Sequence, residues 1–160
     1  MIKLMVILLV AALIGGCARP SQQLGSEYFT VSLSVRVDTL ADNLHLLSQE
    51  KHELVPEDAV IFYAPYAKAY YGESVFDLLS REMRSAGIHM VSRRTPFVDS
   101  AYVTAIGNIF EFDAGELSGW MYTVNGQFPG VGASQHLLNP GDTVKWVYTL
   151  DLGRDIGYAY

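Results

Sequence analysis

The sequence contains almost no cysteine, and its charge is acidic. Cys17 is the single cysteine among 160 residues, so no disulfide can form within the chain. Seventeen Asp and Glu residues outnumber 11 Lys and Arg residues, which gives a formal net charge of −6. This balance argues against a nucleic-acid partner, which requires a basic face, and against electrostatic attachment to anionic lipid.

The chain also lacks an apolar run long enough to cross a bilayer. Its apolar run near the start covers residues 4–14, well short of the ~20 residues that a membrane-spanning helix needs. A positive start precedes this run, and Gly15 and Gly16 follow it. The pattern is typical of an export signal over residues 1–16, cleaved before Cys17.

The residues Ile14-Gly15-Gly16-Cys17 resemble the lipobox of bacterial lipoprotein signal peptides, in which the cysteine becomes the lipid-bearing first residue. The resemblance implies an extracytoplasmic protein that is lipid-anchored to the bacterial cell membrane through Cys17. Two or more acyl chains anchor stably, since each buried methylene contributes ~0.8 kcal/mol. The alternative is a plain signal peptide that leaves a free thiol. The polar residues up to 27 predict a flexible tether.

The remaining residues, 28–160, are enough for one domain with its own core. Alternating apolar residues from Phe29 to Val37 predict a strand with one buried face. Ser74 and Asp77 have the spacing of a helix capping box, and Gly87 is placed to end that helix. We also predict a short helix near 41–48 and a loosely held extension over 151–160. Further strands are predicted at 60–63, 66–71, 88–91, 102–106 and 143–150.

One central helix among six or seven strands predicts an α+β domain, with the helix packed on a mostly antiparallel sheet. The most informative stretch is residues 118–134. Residues 120–124 alternate as a strand, and Asn125-Gly126 is the strongest short signal for a type I′ hairpin turn. Pro129 lacks an N–H and should end the pairing of the second arm. The glycines that follow predict an irregular loop that can approach a ligand closely.

Four motifs resemble the DUF4430 family: Ser74-Val75-Phe76-Asp77-Leu78-Leu79, residues 118–126, Gly132-Ala133-Ser134, and Gly141-Asp142 before Trp146. That family resembles the small C-terminal β-domain of transcobalamin and intrinsic factor. The resemblance spans roughly residues 28–157 and implies a β-grasp-like fold. It also implies a surface that closes over one face of cobalamin. Transcobalamin binds its ligand between this β-domain and a large helical domain, and we see no counterpart of the helical domain in this sequence.

The chain departs from the family in its cysteines. Many bacterial members carry cysteine at the positions of Val37, Ala114, Ala133 and Leu150, which are small or apolar here. If those cysteines form disulfides, each contributes a few kcal/mol by restricting the unfolded chain. We therefore expect this protein to be stabilised by packing alone.

The resemblance and the glycine loop together predict a ligand-binding site around the hairpin. Trp120 and Tyr122 offer aromatic faces to a flat ligand, although one face of their strand is also expected to form the core. Gln127, Phe128 and Val131 lie on the turn and loop, where binding residues concentrate. The predicted ligand-binding residues are Trp120, Tyr122, Gln127, Phe128, Val131, Gly132 and Ser134.

Nothing in the sequence predicts catalysis or an intrinsic cofactor. The four histidines, His45, His52, His89 and His136, show no pair at metal-ligand spacing. Ser134 and His136 lack the arrangement of a supported catalytic triad. We therefore predict a protein that is not an enzyme and has no metal site.

Two functions fit these observations. The first is a surface lipoprotein that captures cobalamin or another corrinoid for uptake and passes it to a transporter. The alternative is a protein-interaction module of a cell-surface assembly, which adds a partner strand to an exposed sheet edge.

Overall fold

The computed structural model describes residues 27–95 and 100–158. The predicted signal segment, the lipid-bearing Cys17 and the tether up to residue 26 lie outside these residues, so they stay predictions. Within the described part of the protein, no helix has both the length and the apolar character needed to cross a membrane.

The described residues form seven strands and two α-helices. The strands are β1 (Tyr28–Arg36), β2 (Val60–Tyr70), β3 (Met90–Thr95), β4 (Ser100–Ile106), β5 (Ile109–Phe110), β6 (Gly119–Val124) and β7 (Thr143–Thr149). The helices are α1 (Asp38–Ala41) and α2 (Val75–Ala86). Three 3₁₀ turns lie at Leu44–Leu46, Gln49–Leu54 and Arg154–Ile156. The short helix predicted near 41–48 is thus replaced by α1 and a series of 3₁₀ turns.

The strands form two open sheets. The larger sheet has the order β2-β1-β7-β6, and the smaller has the order β3-β4-β5. Neighbouring strands are antiparallel except β1 and β7, which run parallel with Ser32 opposite Thr143. The predicted domain of mixed helix and sheet, dominated by strands, is confirmed, although we predicted one sheet. Its finer assignment to a β-grasp-like fold with one central helix stays a prediction.

Strand β1 alternates between a buried face and a more exposed face, as its sequence predicts. Leu33 and Val35 have no exposed surface, and they share one core cluster with Leu78 and Leu79 of α2. Three of the four positions that hold cysteine in many family members, Val37, Ala114 and Ala133, are also buried in this cluster. At these positions the protein therefore has buried apolar side chains in place of cysteines.

Strand β2 corrects the prediction of two short strands separated by Pro65. It runs without a break from Val60 to Tyr70 because it lies at the edge of the sheet, where proline's missing N–H is tolerated. The pairing with β1 also shifts register between Val31 and Leu33, opposite the residues around Pro65. Such a bulge accommodates a residue that cannot donate to the ladder.

Helix α2 begins and ends as predicted. The Ser74 Oγ accepts a hydrogen bond from the Asp77 N–H, and the Asp77 carboxylate accepts one from the Ser74 N–H, both at 3.2 Å. This is the capping box. Gly87 ends the helix with φ = 69°, a left-handed conformation that glycine adopts without steric cost.

The prediction of a loosely held extension over residues 151–160 was wrong for its described part. The Gly153 N–H donates to Thr149 Oγ1 (2.7 Å), and the Leu152 N–H donates to Leu117 O (2.9 Å). The Asp155 carboxylate also accepts from the Leu150 N–H (2.7 Å). These bonds hold the segment against the end of β7 and the residues just before β6, and they satisfy backbone N–H groups that would otherwise lack partners.

Candidate functional site

The hairpin after β6 has the turn that its sequence predicts. Asn125 and Gly126 both have positive φ, at 53° and 76°, as a type I′ turn requires. Val124 and Gln127 exchange backbone hydrogen bonds of 2.9 and 3.0 Å across the turn. Pairing of the second arm then stops, as expected before Pro129.

The outer edge of β6, on the side away from β7, carries backbone groups that point outward. The Asn125 N–H donates to Thr143 O of β7 (2.9 Å). Counting back along an antiparallel ladder, every second residue bonds β7, and the residues between them turn their N–H and C=O away. Trp120 and Tyr122 are among these outward-facing residues.

This outer edge is closed at both ends and open in the middle. At one end the Phe112 N–H donates to Ser118 O (3.0 Å), and at the other Val124 pairs with Gln127. Between them, among the residues that the structure describes, no strand of either sheet pairs with β6 on this side. The N–H and C=O of Trp120 and Tyr122 therefore face an unfilled gap.

A cavity of about 210 Å³ occupies this gap. It lies between β6, the first half of β4 and the loop after the hairpin. One residue of β7 and one residue of the C-terminal segment also line it. The lining consists of Ala101, Tyr102 and Val103 from β4, Trp120, Met121 and Tyr122 from β6, Phe128, Pro129, Val131, Gly132 and Ala133 from the loop, Trp146 and Tyr158.

Two of the predicted ligand-binding residues, Trp120 and Tyr122, are largely buried. Only 5% and 8% of their surfaces are exposed. The Trp120 Nε1–H donates to Ile109 O (2.9 Å), and the Tyr122 hydroxyl donates to Val131 O (2.7 Å). Both side chains therefore belong to the core, as the alternative interpretation expected, while they also border the cavity.

The hairpin loop forms the outer wall of the cavity. Phe128 packs edge-on against Tyr158, with ring centroids 5.2 Å apart. Val131 is half exposed at the rim. Gly132 brings the loop close to β4, since a Cβ at that position would lie 1.8 Å from Ser100 Oγ. These three predicted residues thus lie together on the loop side of the cavity.

The other two predicted residues do not line it. Gln127 is exposed at the end of the turn. Ser134 instead fastens the loop to β4, because its Oγ accepts from the Ala101 N–H (3.0 Å) and lies 3.1 Å from Ser100 Oγ. Ser134 therefore positions the loop beside the cavity.

Sequence reasoning missed Trp146, Tyr102 and Tyr158 as lining residues. Trp146 stacks on Tyr122 with ring centroids 5.3 Å apart and an interplanar angle of 30°. Its alternation with Val144 and Tyr148 indicated a shared face, and cross-strand pairing places that face beside Tyr122. No sequence pattern indicated that Tyr102 and Tyr158 would line the cavity, since their positions depend on contacts between segments distant in sequence.

Burial raises the pKa of two tyrosine hydroxyls that border the cavity. Desolvation raises the pKa of Tyr122 to about 12. Desolvation, followed by the neighbouring Glu111 carboxylate, raises the pKa of Tyr102 to about 12 as well. Both hydroxyls therefore stay protonated to a higher pH than an exposed tyrosine does.

A second cavity of about 260 Å³ adjoins the first. The two share Tyr102, Trp120, Met121 and Tyr158 as lining residues. The far side of the second cavity is apolar and exposed, with Phe112, Leu117 and Leu152 at 58%, 42% and 45% exposure. We refer to these two adjoining cavities together as the groove beside β6.

The described residues contain no group of three or more His, Cys, Asp or Glu placed to hold a metal ion. His136 lies near the site, with its ring centroid 6.3 Å from that of Tyr122, but it does not line the first cavity. The chemistry that the lining offers is aromatic stacking and backbone hydrogen bonding.

Residues 72–149 match the family model described as "Domain of unknown function (DUF4430)". The predicted resemblance to that family is confirmed over a shorter stretch than residues 28–157. No curated protein matches the chain.

Among solved structures, the protein is similar to haptocorrin in complex with Cbi, with a TM-score of 0.57 at 12% identity. The similarity covers 77% of this chain and 25% of the haptocorrin chain, so it shows the fold alone. A candidate metal-binding protein from Ruminococcus gnavus ATCC 29149 also matches, with a TM-score of 0.45 at 11% identity over 76% of this chain and 96% of that one.

Proposed function

We propose that this protein is a non-enzymatic binding protein that captures a corrinoid or a similar large ring along the groove beside β6. The observation that carries the proposal is the cavity between β4 and β6, with aromatic walls and outward backbone groups. The similarity to haptocorrin, a protein solved with Cbi, supports the choice of ligand class.

The size of the groove limits how such a ligand is held. Pockets that enclose a drug-sized ligand measure roughly 300–1,000 Å³, and the first cavity is smaller, at about 210 Å³. A corrinoid therefore places one edge in the cavity and rests the remainder on the exposed apolar residues of the adjoining one. The opposite face of the ring then stays open to solvent or to a second protein.

We propose further that Cys17 carries lipid and holds this groove outside the cytoplasmic membrane. The support is the lipobox resemblance, which lies outside the described residues. In this arrangement the protein presents its ligand to a membrane transporter, and the acidic mature domain itself contributes little to membrane attachment.

The test is a titration of residues 18–160 with cobinamide and with cobalamin, followed by absorbance and calorimetry. We expect binding with a dissociation constant on the order of micromolar, since only one face of the ring is covered. Phe128→Ala should weaken binding about tenfold by removing the loop-side wall. Tyr66→Ala, at a side chain 81% exposed on β2, is the matched control and should bind normally.

Absence of any signal up to roughly millimolar ligand would reject the corrinoid proposal. Equal weakening by Phe128→Ala and Tyr66→Ala would show that binding occurs elsewhere than in the groove.

A second candidate function is protein interaction through the opposite edge of the larger sheet. Strand β2 is an eleven-residue edge strand. A cluster of exposed tyrosines lies on and around it, and tyrosine is enriched at protein interfaces. Its members are Tyr28, Tyr63, Tyr66, Tyr70 and Tyr71, between 38% and 81% exposed. A partner whose binding is lost in Tyr63→Ala and Tyr66→Ala, but retained in Phe128→Ala, would favour this function.

A further inference from the structure

We propose that the outer face of the larger sheet, which is the face turned away from α2, binds a short uncharged sugar chain with β-1,4 linkages. This site lies apart from the groove beside β6, and the inference goes beyond the corrinoid proposal. Three features of the described residues support it: polar side chains aligned across the sheet, a cavity at one end of them and exposed tyrosines at the other.

One row of polar side chains crosses all four strands of this face. Tyr63 of β2 lies opposite Ser34 of β1, and Ser34 lies opposite Lys145 of β7. Lys145 in turn lies opposite Thr123 of β6. Directly opposite residues place their side chains on the same face of a sheet. Since neighbouring strands lie ~4.8 Å apart, the row extends roughly 14 Å from Tyr63 to Thr123.

Two further residues widen this row. In β1, Ser32 and Ser34 alternate with buried residues of the core cluster, so their side chains turn to the outer face. Tyr66 lies where β2 shifts register opposite Ser32, and it precedes the buried Ala67. We call these outward residues the platform: Ser32, Ser34, Tyr63, Tyr66, Thr123 and Lys145.

A cavity of about 440 Å³ lies at the β6 end of the platform. Its lining includes the polar residues Thr123, Thr143 and Lys145 and the apolar residues Phe128, Val147 and Ile156. Pockets that enclose small ligands measure roughly 300–1,000 Å³, so this cavity has room for a sugar ring. The apolar side chains offer contact to the C–H groups of the ring, while the polar ones bond its hydroxyl groups.

Tyr63 and Tyr66 form the other end of the platform, where they are 63% and 81% exposed. A tyrosine ring combines an apolar face with a polar tip. This matches a pyranose ring, which has C–H groups on its faces and hydroxyl groups around its rim. Ser32 and Ser34 lie next to the tyrosines, and their hydroxyls can both donate and accept. The platform therefore offers stacking at this end and hydrogen bonds along its length.

The length of the platform favours a chain over a single sugar. The cavity holds one ring, and the row continues from it across β1 to the tyrosines of β2. The rings of a β-1,4-linked chain follow one another in a nearly straight ribbon. Such a chain can therefore keep contact with the platform from end to end.

The charges around the cavity favour an uncharged ligand. The Asp38 carboxylate, which lines the cavity, accepts two hydrogen bonds from the Arg36 guanidinium, at 2.8 and 2.5 Å. These bonds lower the pKa of Asp38, and the nearby Lys145 ammonium lowers it further. Because Lys145 is exposed to solvent, its charge requires no anionic ligand, and its N–H groups can donate to sugar hydroxyls.

The tyrosines of the platform also belong to the surface that the second candidate function assigns to a protein partner. Stable protein interfaces bury ~800 Å² on each side, and lysine is depleted at their centres. The centre of the platform carries the hydroxyls of Ser32 and Ser34 and the Lys145 ammonium. This composition favours a ligand rich in hydroxyl groups over a protein.

The test is a calorimetric titration of residues 18–160 with cellotetraose and with chitotetraose, two uncharged β-1,4-linked tetrasaccharides. We expect at least one of them to bind with a dissociation constant on the order of 100 micromolar, since the platform is open on one side. Maltotetraose has as many sugar rings but a curved α-1,4-linked chain, and it should bind about tenfold more weakly. In ¹⁵N NMR spectra the backbone amides of Ser34 and Lys145 should shift with the bound ligand.

Variants of single tyrosines locate the binding. Tyr63→Ala should weaken tetrasaccharide binding about fivefold or more, whereas Tyr63→Phe keeps the stacking ring and should bind nearly as well. Tyr71→Ala is the matched control, because Tyr71 is 62% exposed but lies beyond the platform. Equal weakening by Tyr63→Ala and Tyr71→Ala would overturn the assignment of the site to the platform.

The remaining outcomes separate this inference from the other proposals. Absence of saturable binding by both β-1,4-linked tetrasaccharides up to roughly 10 millimolar would overturn it. A protein partner lost in Tyr63→Ala, with no tetrasaccharide binding, would assign the surface to the second candidate function instead. Equal binding of maltotetraose would overturn the preference for a straight chain. Tyr63→Ala should leave cobinamide binding unchanged, so the failure of either proposal leaves the other standing.

Discussion

Two parts of the core cluster, one around β1 and α2 and one around β6 and β7, are built from different side chains. The first is aliphatic, and residues such as Leu33 and Leu79 have no exposed surface and no polar atoms in their side chains. The second is aromatic, and Trp120, Tyr122 and Trp146 each carry a polar atom into the interior. Two of those atoms have hydrogen-bond partners, and the third has none among residues 27–95 and 100–158.

The aliphatic part of the core contributes mainly to stability, whereas the aromatic part borders the candidate binding site. Aliphatic packing contributes free energy of folding and offers a ligand nothing to bond. Aromatic packing fills space beside a strand edge whose backbone groups remain able to bind a ligand. Substitutions in the two parts of the cluster should therefore have distinguishable effects.

The largest effect is expected in the aliphatic core. Leu79→Ala should lower the free energy of unfolding by about 2–5 kcal/mol, since it removes buried methyl groups and leaves a cavity. Urea unfolding followed by fluorescence would measure it. Leu137→Ala, at a residue 57% exposed, should change stability by less than about 0.5 kcal/mol. A similar loss in both variants would contradict the assignment of the core.

The next effect is at the contact between the loop and β4. Gly132→Ala would place a Cβ 1.8 Å from Ser100 Oγ and 2.5 Å from Ser100 Cβ. The loop must move away, and we expect a loss of about 1–3 kcal/mol in stability together with a change in ligand binding. Gly130→Ala meets no atom within 4 Å and should behave like the wild type. Thermal unfolding and ligand titration of both variants would check this.

A matched pair of tryptophan variants sharpens the comparison within the aromatic core. Trp120→Phe and Trp146→Phe remove the same atoms, but the first also leaves the buried Ile109 O without its donor. We expect Trp120→Phe to be less stable than Trp146→Phe by about 1–2 kcal/mol. Denaturant unfolding of the two variants would measure the difference. Equal stabilities would show that the Trp146 N–H has a partner in solution.

The last effect is confined to high pH. The pKa of Tyr122 is raised from 10.0 to about 12 in the folded protein, so its hydroxyl contributes stability that is fully present below pH 10. As the pH rises from about 10 to about 12, the unfolded protein ionises this tyrosine while the folded protein does not. Stability should therefore fall by at most ~1.4 kcal/mol per pH unit from this group. Tyr122→Phe should flatten the decline, measured by denaturant unfolding at successive pH values. An unchanged slope would contradict the burial of the hydroxyl.

The parts of the fold that were predictable depend on neighbouring residues. The capping box at Ser74 and Asp77, the αL stop at Gly87 and the Asn125-Gly126 turn each rest on residues close in sequence, and all three are present. The error at Pro65 has a related cause. We predicted that proline would end the strand, which is a rule about one residue and its neighbours. The strand continues because it lies at the sheet edge and shifts register opposite Pro65.

The site could be predicted only from its hairpin side. Residues 120–132 indicated a strand, a turn and a glycine loop, and five of the seven predicted residues border the cavity. Tyr102 and Tyr158 complete it from segments distant in sequence, which no periodicity connects. The indole N–H of Trp146 has no hydrogen-bond partner among the described residues. The sequence could not predict this, because it depends on which groups the fold places around Trp146.

The parallel pairing of β1 with β7 has a kinetic consequence. Strand β1, the first of the described strands, lies beside a strand from near the other end of the described residues, with Leu33 opposite Val144. Contacts between segments so far apart in sequence close large loops and slow the search for the native state. Until β7 has been synthesised, one side of β1 has no partner and is exposed to aggregation. We therefore expect this protein to fold late, after its full length is available, with a need for protection by chaperones until then.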